Sequence, residues 1–124
     1  MTHDRANLGA GGETFARRWL EARGFKFVAA NWRCPAGEID LVAQDGAELV
    51  FVEVKTRRGE RSGRAEEAVT SAKARRLLAS GAAFVAAHPA YADAIWRVDL
   101  VAITLGPSGA VERVAHLPNA VVAG

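Results

Sequence analysis

Two short segments carry acidic and basic side chains inside otherwise apolar runs. The first reads Glu38-Ile-Asp-Leu-Val-Ala-Gln44 and the second reads Leu49-Val-Phe-Val-Glu-Val-Lys55. Carboxylate oxygens are the hard ligands that Mg²⁺ prefers, and an ammonium group beside them can stabilise negative charge on a phosphate. If Asp40, Glu53 and Lys55 come together, they can hold a divalent cation and assist hydrolysis at a phosphate.

Both segments predict β-strands, and Asp45-Gly46 between them is typical of a hairpin turn. Alternation places Glu53 and Lys55 on one face of the second strand. A two-residue loop would pair Asp40 with Phe51, whereas a four-residue loop would pair Asp40 with Glu53. Either even loop puts Asp40 on the face of Glu53 and Lys55, because residues directly opposite each other point to the same side. A three-residue loop would separate them.

The residues of the hairpin allow two interpretations. In the first, the hairpin lies at a sheet edge and its charges form an exposed ion pair, Glu53 with Lys55 or Glu38 with Lys55. In the second, the apolar alternate positions indicate that both faces are partly buried, so the acids require pairing or a cation. Two oxygen ligands would leave Mg²⁺ free positions for water and phosphate. The residues alone leave both interpretations open.

The flanking sequence predicts the order αβββαββ, which is a mixed α/β layer fold. Glycines at 9, 11 and 12 indicate an irregular segment before the first helix, and Gly24 indicates the end of that helix. A charged loop is expected from Thr56 to Gly63. The predicted elements are a helix over Glu13 to Arg23, strands over Phe25 to Trp32, Glu38 to Gln44 and Leu49 to Lys55, a helix over Arg64 to Ala87 with inward Ala65, Ala68, Val69, Ala72 and Leu77, and strands over Ile95 to Leu105 and Ala110 to His116.

Length and composition indicate one globular domain over residues 1–124. Half of the 124 residues are hydrophobic and 24% are charged, which excludes a wholly disordered chain. The single cysteine, Cys34, favours a reducing, cytoplasmic setting. The longest nearly uncharged apolar stretch, Leu77 to Ala87, has eleven residues against the roughly 20 that a membrane span needs. The first residues lack the apolar core of a signal peptide, so we expect no membrane association.

Basic residues cluster in the middle of the chain. The net charge is only +2, yet the segment from Val54 to Arg76 holds eight basic and three acidic residues. A basic segment inside a nearly neutral protein predicts a surface that faces a polyanion. The composition is rich in arginine, but that bias does not explain the clustering. The loop residues expected to contact phosphates, exposed and on a mobile loop, are Arg57, Arg58, Arg61 and Arg64.

The two strand segments resemble the D-x(n)-E-x-K pattern of restriction-endonuclease-like nucleases. The segments that match this pattern are Gly37-Glu-Ile-Asp-Leu-Val and Phe51-Val-Glu-Val-Lys-Thr-Arg57. The chain resembles most closely the YraN-like family of uncharacterised bacterial proteins, and archaeal Holliday-junction resolvases are similar in layout. The resemblance covers nearly the whole chain, although Ile39 stands where many of these nucleases have proline. It implies a three-layer fold in which helices flank a central mixed sheet.

The resemblance also implies a role for each matching residue. Asp40 and Glu53 match the metal ligands, Lys55 matches the catalytic lysine, and Glu13 matches a helix carboxylate that reaches the metal. Glu13 lies in the first turn of the predicted helix, where the dipole favours an anion. Lys73 is expected on the inward side of the second helix, either as a snorkelling lysine or as a group that reaches the site and nucleic acid.

Other polar residues are expected to have structural or supporting roles. Arg97 and Asp99 lie two residues apart on one predicted strand, and this spacing predicts a structural ion pair. Glu38 is expected to support Lys55. The three histidines have no ligand spacing, and the three tryptophans are expected in the core.

The resemblance implies a metal-dependent endonuclease that hydrolyses phosphodiester bonds in structured or branched DNA. Its cofactor would be Mg²⁺, with Mn²⁺ as a substitute, and its partner would be nucleic acid, DNA before RNA. A homodimer is left open. The alternative from another class is a nucleic-acid-binding protein without cleavage activity, and a third is an adaptor for an acidic protein. A panel of linear, nicked, flapped and four-way DNA distinguishes them.

Overall fold

Within the part of the chain that the structure describes, two helices and five strands follow one another in the predicted order αβββαββ. The structure, a computed structural model, describes residues 4–59 and 69–121. A short 3-10 turn, Pro89–Tyr91, follows the second helix. No helix among these residues combines the length and the apolar character that a membrane crossing requires. The elements are α1 (Asp4–Ala22), β1 (Lys26–Cys34), β2 (Gly37–Asp45), β3 (Glu48–Arg58), α2 (Ser71–Ala87), β4 (Trp96–Leu105) and β5 (Val111–Val121).

The strands form one five-stranded mixed sheet in the order β1-β2-β3-β4-β5. β1, β2 and β3 are joined by short turns and pair antiparallel, as do β4 and β5. β3 and β4 pair parallel. Parallel neighbours need a long crossover connection, and the segment that contains α2 provides it.

Each face of the sheet is covered by one helix. Along β3, Val50 and Val52 pack into one apolar cluster with Ala16 and Leu20 of α1. The alternate side chains of β3 pack into a second cluster with the α2 residues Leu77 and Phe84. Because successive strand residues point to opposite faces, the two clusters lie on opposite sides of the sheet. This arrangement confirms the predicted three-layer α/β fold.

The first helix begins earlier than predicted. It begins at Asp4 rather than Glu13, so the three glycines lie within α1 and do not form an irregular segment before it. A glycine inside a helix costs about 1 kcal/mol relative to alanine and does not by itself end the helix. The predicted end is confirmed: Gly24 adopts a left-handed conformation with φ of 93° and donates to the carbonyl of Glu21.

The second helix begins later than predicted, at Ser71 rather than Arg64. Thr70 has extended backbone angles, and its hydroxyl accepts a hydrogen bond from the amide of Lys73, which caps the helix. Of the expected inward residues, Leu77 is buried, but Ala72 is exposed. Ala65 and Ala68 lie outside the described residues. The buried positions of α2 are Leu77, Ser80, Gly81 and Phe84.

Gly81 allows α2 to approach the sheet closely. A Cβ atom at this position would lie 2.8 Å from the ring of Trp96 and 3.0 Å from the ring of Phe51. Both rings belong to the apolar cluster between α2 and the sheet. Since close-packed interiors resist even one added methyl group, the distance between this helix and the sheet depends on a residue without a side chain.

Candidate functional site

The β2–β3 hairpin adopts the register that sets Asp40 against Glu53. Gln44 lies opposite Leu49, and the regular pairing continues to Leu41 opposite Val52. The pairing of Asp45 with Glu48 adds one rung beyond the predicted strands and leaves a two-residue turn. At the next position the carboxyl groups of Asp40 and Glu53 are in hydrogen-bond contact. The second oxygen of Asp40, Oδ2, accepts a hydrogen bond of 2.8 Å from the amide of Val54.

Glu13 reaches the same site from α1. One carboxylate oxygen each of Glu13, Glu38 and Asp40 lies within 4.8 Å of the others. Glu13 also hydrogen-bonds the side chain of Asn31, which has a left-handed backbone with φ of 52° in β1. One residue before Glu13, a Cβ atom on Gly12 would collide with the side chain of Thr56. The close approach of α1 to β3 at Gly12 therefore helps to bring Glu13 to the hairpin.

Glu38 lies in the acidic cluster of the site. Its carboxylate belongs to the cluster with Glu13 and Asp40, and the expected support of Lys55 by Glu38 stays a prediction. Glu38 Oε2 also forms a 2.6 Å ion pair with Nε of Arg33 in the neighbouring strand. The signal for this placement was present in the sequence, since residues two apart on a strand share a face. Glu38 and Asp40 are two such residues.

Lys73 brings a basic group to the site from α2. Its Nζ forms an ion pair with Oε2 of Glu53, whose side chain is only 10% exposed. Lys73 is itself half-buried and also contacts the amine of Lys55. Of the two alternatives for Lys73, the structure shows the one in which the side chain reaches the site. Asp40, Glu53, Lys55 and Lys73 therefore lie together, with Glu13 and Glu38 beside Asp40.

Burial and the nearby negative charges raise the pKa of Asp40 and that of Glu13. Burial, and then the negative charge of Glu53, raise the pKa of Asp40 to about 7, although the amide of Val54 acts in the opposite direction. Burial also raises the pKa of Glu13, and the hydrogen bond with Asn31 only partly offsets the effect. Without a cation, Asp40 is therefore protonated in a larger fraction of molecules near neutral pH than an ordinary surface aspartate is.

The pKa values of the two lysines shift in opposite directions. The hydrogen bond with Lys73, followed by burial, lowers the pKa of Lys55. Burial would lower the pKa of Lys73, but its hydrogen bonds with Glu53 and Lys55 outweigh burial and raise it. Lys73 is therefore the stable ammonium of the pair, and Lys55 is the amine that more readily loses its proton.

The expected phosphate-binding arginines are only partly described. Arg58 is exposed as predicted, but Arg57 is half-buried. Both belong to β3 rather than to a loop, because β4 is long enough to pair with β3 as far as Arg58 opposite Leu105. Arg61 and Arg64 lie outside the described residues, as does most of the predicted loop.

A second polar cluster lies on the α1 side of the sheet. Arg97 Nε donates a 3.0 Å hydrogen bond to Oδ1 of the fully buried Asp99, which confirms the predicted structural ion pair. Asp99 also accepts hydrogen bonds of 2.8 Å from His116 Nε2 and from the amide of Asn119. Burial would raise the pKa of Asp99, but these hydrogen bonds outweigh burial and lower it. The cluster joins β4 to β5.

Arg97 extends this cluster to the β2–β3 turn. Its guanidinium also pairs with Asp45 and Glu48, which flank the turn. Arg97 therefore ties the turn of the hairpin to β4, in addition to the backbone pairing of β3 with β4.

Comparison with known sequences identifies relatives along most of the chain. Residues 12–103 match the profile described as uncharacterised protein family UPF0102. A UPF0102 protein of Roseiflexus castenholzii is 49% identical over 98% of both chains. One from Beutenbergia cavernae is 52% identical over 89% of this chain and 92% of its own, and one from Frankia alni is 49% identical over 91% and 92%. The matched region includes every acidic and basic residue of the site.

Proposed function

The chain belongs to the uncharacterised protein family UPF0102, and we propose that it is a metal-dependent endonuclease that cleaves phosphodiester bonds in structured or branched DNA. The observation that carries this proposal is the meeting of acids from α1, β2 and β3 with two lysines at one place. Carboxylates can hold a cation and amines can stabilise charge on a phosphate, and both actions assist phosphodiester hydrolysis.

The donor set suits a hard divalent cation. Glu13, Glu38 and Asp40 each offer one oxygen within 4.8 Å of the others, and Glu53 contacts Asp40. These are oxygen donors of the kind that Mg²⁺ prefers, with Mn²⁺ as a chemically close substitute. When bound, such a cation supplies Lewis acidity that polarises a phosphoryl oxygen and lowers the pKa of a water molecule.

The side chains have separate tasks in the proposed reaction. Val54 fixes one oxygen of Asp40 through its amide, which leaves the other oxygen for the cation. The lowered pKa of Lys55 suits its Nζ to accept a proton from the attacking water and then to donate a hydrogen bond to the phosphate. Lys73 remains an ammonium and adds positive charge beside the scissile group.

The basic segment supports nucleic acid as the substrate. Eight basic residues against three acidic ones between Val54 and Arg76 give a local excess of five positive charges. Arginines of this segment, with Arg58 exposed at the end of β3, would hold backbone phosphates without reading the base sequence. Binding without sequence preference is appropriate for an enzyme that recognises DNA shape.

The decisive experiment measures cleavage of linear, nicked, flapped and four-way DNA in Mg²⁺, in Mn²⁺ and in chelator. For Glu53→Gln we expect cleavage to fall by more than ~100-fold, or about 2.7 kcal/mol of barrier, because the variant loses a charged ligand. Glu21→Gln, the same change at an exposed position of α1, is the matched control and should cut at the wild-type rate. If both variants cut like the wild type, the activity has another origin.

Lys55→Met provides a complementary test of the same site. Because the lysine is not expected to bind the cation, this variant should lose cleavage and keep or improve its Mg²⁺ affinity, measured by calorimetry. DNA binding in chelator should survive in Glu53→Gln, because one negative charge near the phosphates has been removed. Salt-dependent DNA binding with no cleavage of any substrate by the wild type would instead support the binding-only alternative.

A further inference from the structure

Lys73 forms an ion pair with a carboxylate that the proposed cation would also bind. Its Nζ pairs with Oε2 of Glu53, and Glu53 in turn contacts Asp40. A divalent cation held jointly by Asp40 and Glu53 would therefore have to share or take over the Glu53 carboxylate. Removing a charged pair from water carries a desolvation penalty that can exceed the attraction between the two charges, so this pair is a weak source of stability and calls for another explanation.

The surroundings of Lys73 imply that it needs a second anionic partner if a cation takes over Glu53. Its amine lies beside that of Lys55, and two amines side by side are favourable only when acidic groups offset their repulsion. Glu53 now provides this offset. If a cation takes the charge of Glu53, a second anion has to replace it. In the proposed complex, the nearest such anion is a phosphate of the nucleic acid.

Building on the proposed function, we propose that Lys73 is a positioning residue that pairs with Glu53 when no cation is present and pairs with a phosphate oxygen once a divalent cation binds. The four-carbon stem of lysine allows this change of partner without movement of α2. The cation and the nucleic acid then bind with positive coupling, and by thermodynamic reciprocity each strengthens the other.

The first experiment measures Mg²⁺ binding alone, by titration calorimetry without DNA. Lys73→Gln should bind Mg²⁺ about fivefold or more tightly than the wild type, because the competing ammonium is gone. Lys73→Arg should restore the wild-type affinity. Arg75→Gln removes the same charge from an exposed position on the same helix and should change the affinity less than about twofold. Equal effects in Lys73→Gln and Arg75→Gln would overturn the proposal.

The second experiment measures the coupling between cation and DNA. The Lys55→Met background, which should not cut, permits equilibrium binding of a labelled four-way junction with Mg²⁺ or with chelator. With Lys73 present, Mg²⁺ should strengthen DNA binding about fivefold or more, whereas with Lys73→Gln the effect should fall below about twofold. Coupling that survives the loss of Lys73 contradicts the inference but leaves the proposed function standing.

A spectroscopic measurement on the wild type covers the case in which Lys73→Gln fails to fold. The side-chain signals of Lys73, observed by NMR, should shift when Mg²⁺ is added, because the ion pair with Glu53 opens. Unchanged Lys73 signals in a protein that binds Mg²⁺ would overturn the inference. A wild-type protein that binds no Mg²⁺ would instead remove the proposed function itself.

Discussion

Asp40 carries a structural cost that its proposed role as a cation ligand would offset. Its carboxyl group is half-buried and lies against Glu53, and together these conditions raise its pKa to about 7. The single hydrogen bond from the amide of Val54 does not reverse this rise in the pKa of Asp40. A carboxyl group in this condition binds a proton or a cation readily, and without either it weakens the fold.

The raised pKa of Asp40 predicts how stability changes with pH. The folded protein binds the Asp40 proton up to about pH 7, whereas the unfolded chain releases it near its ordinary value of 3.8. The free energy of unfolding in chelator should therefore fall as pH rises from about 4 to about 7 and then level off. Asp40→Asn should be more stable than the wild type at pH 8 by about 2 kcal/mol, half of what the full shift would give, because solvent screens a half-buried carboxyl.

Urea unfolding at several pH values tests this prediction. Asp93→Asn, at an exposed position, is the control and should leave the pH profile unchanged. If the wild type gains stability between pH 4 and pH 7 while Asp40→Asn does not, the sign of the Asp40 contribution is wrong.

At the scale of elements, the hairpin was the most predictable part of the molecule. The alternation of polar and apolar residues gave the strand pair, and the observed pairing of Gln44 with Leu49 was one of the two considered. The turn itself shifted by one residue, because Asp45 and Glu48 add a rung. Pattern alone could not choose between registers, since both keep the same faces buried.

The ends of the two helices were the least predictable. Glycines near the start of α1 suggested a loop, yet at Gly12 the helix needs a small residue to pass Thr56. The start of α2 depends on the cap at Thr70, and alanine-rich sequence before it masked that signal. Arg57 was expected to be exposed, but its burial depends on the length of β4, a contact distant in sequence.

Arg97 gives the elements of the hairpin a common anchor. We expect Arg97→Met to lower the free energy of unfolding by about 2–3 kcal/mol, because Asp99 is fully buried and would lose a charged partner. Arg18→Met, at an exposed position of α1, should cost no more than about 0.5 kcal/mol. Urea denaturation of both variants decides the matter, and equal losses would show that Arg97 does not anchor the hairpin.

At the scale of the whole molecule, the acids of the site and the excess of basic residues lie in different segments of the chain. The acids meet at the start of β2 and the middle of β3, while the basic excess lies in the segment from the end of β3 through the start of α2. That residues 1–124 form one domain remains a prediction.

The basic segment predicts a salt dependence of DNA binding. Replacing both Arg61 and Arg64 by glutamine should weaken binding to every DNA sequence alike and lower the slope of log affinity against log salt by about 2. The control replaces Arg18 and Lys26, two exposed basic residues elsewhere, and should leave the slope unchanged. Equal slopes in all three proteins would mean that the segment does not contact phosphate.

The glycines at 12 and 81 have a consequence for mutational scanning of this protein. Gly12 lets α1 carry Glu13 past Thr56, and Gly81 lets α2 pack close enough for Lys73 to meet Glu53. Neither glycine has a functional group, yet both set how far a functional side chain must reach. A scan of all substitutions scored by activity would therefore rank these two positions with the acidic residues themselves. A parallel scan scored by abundance would separate them, since variants at 12 and 81 should lose folded protein while those at the acids keep it.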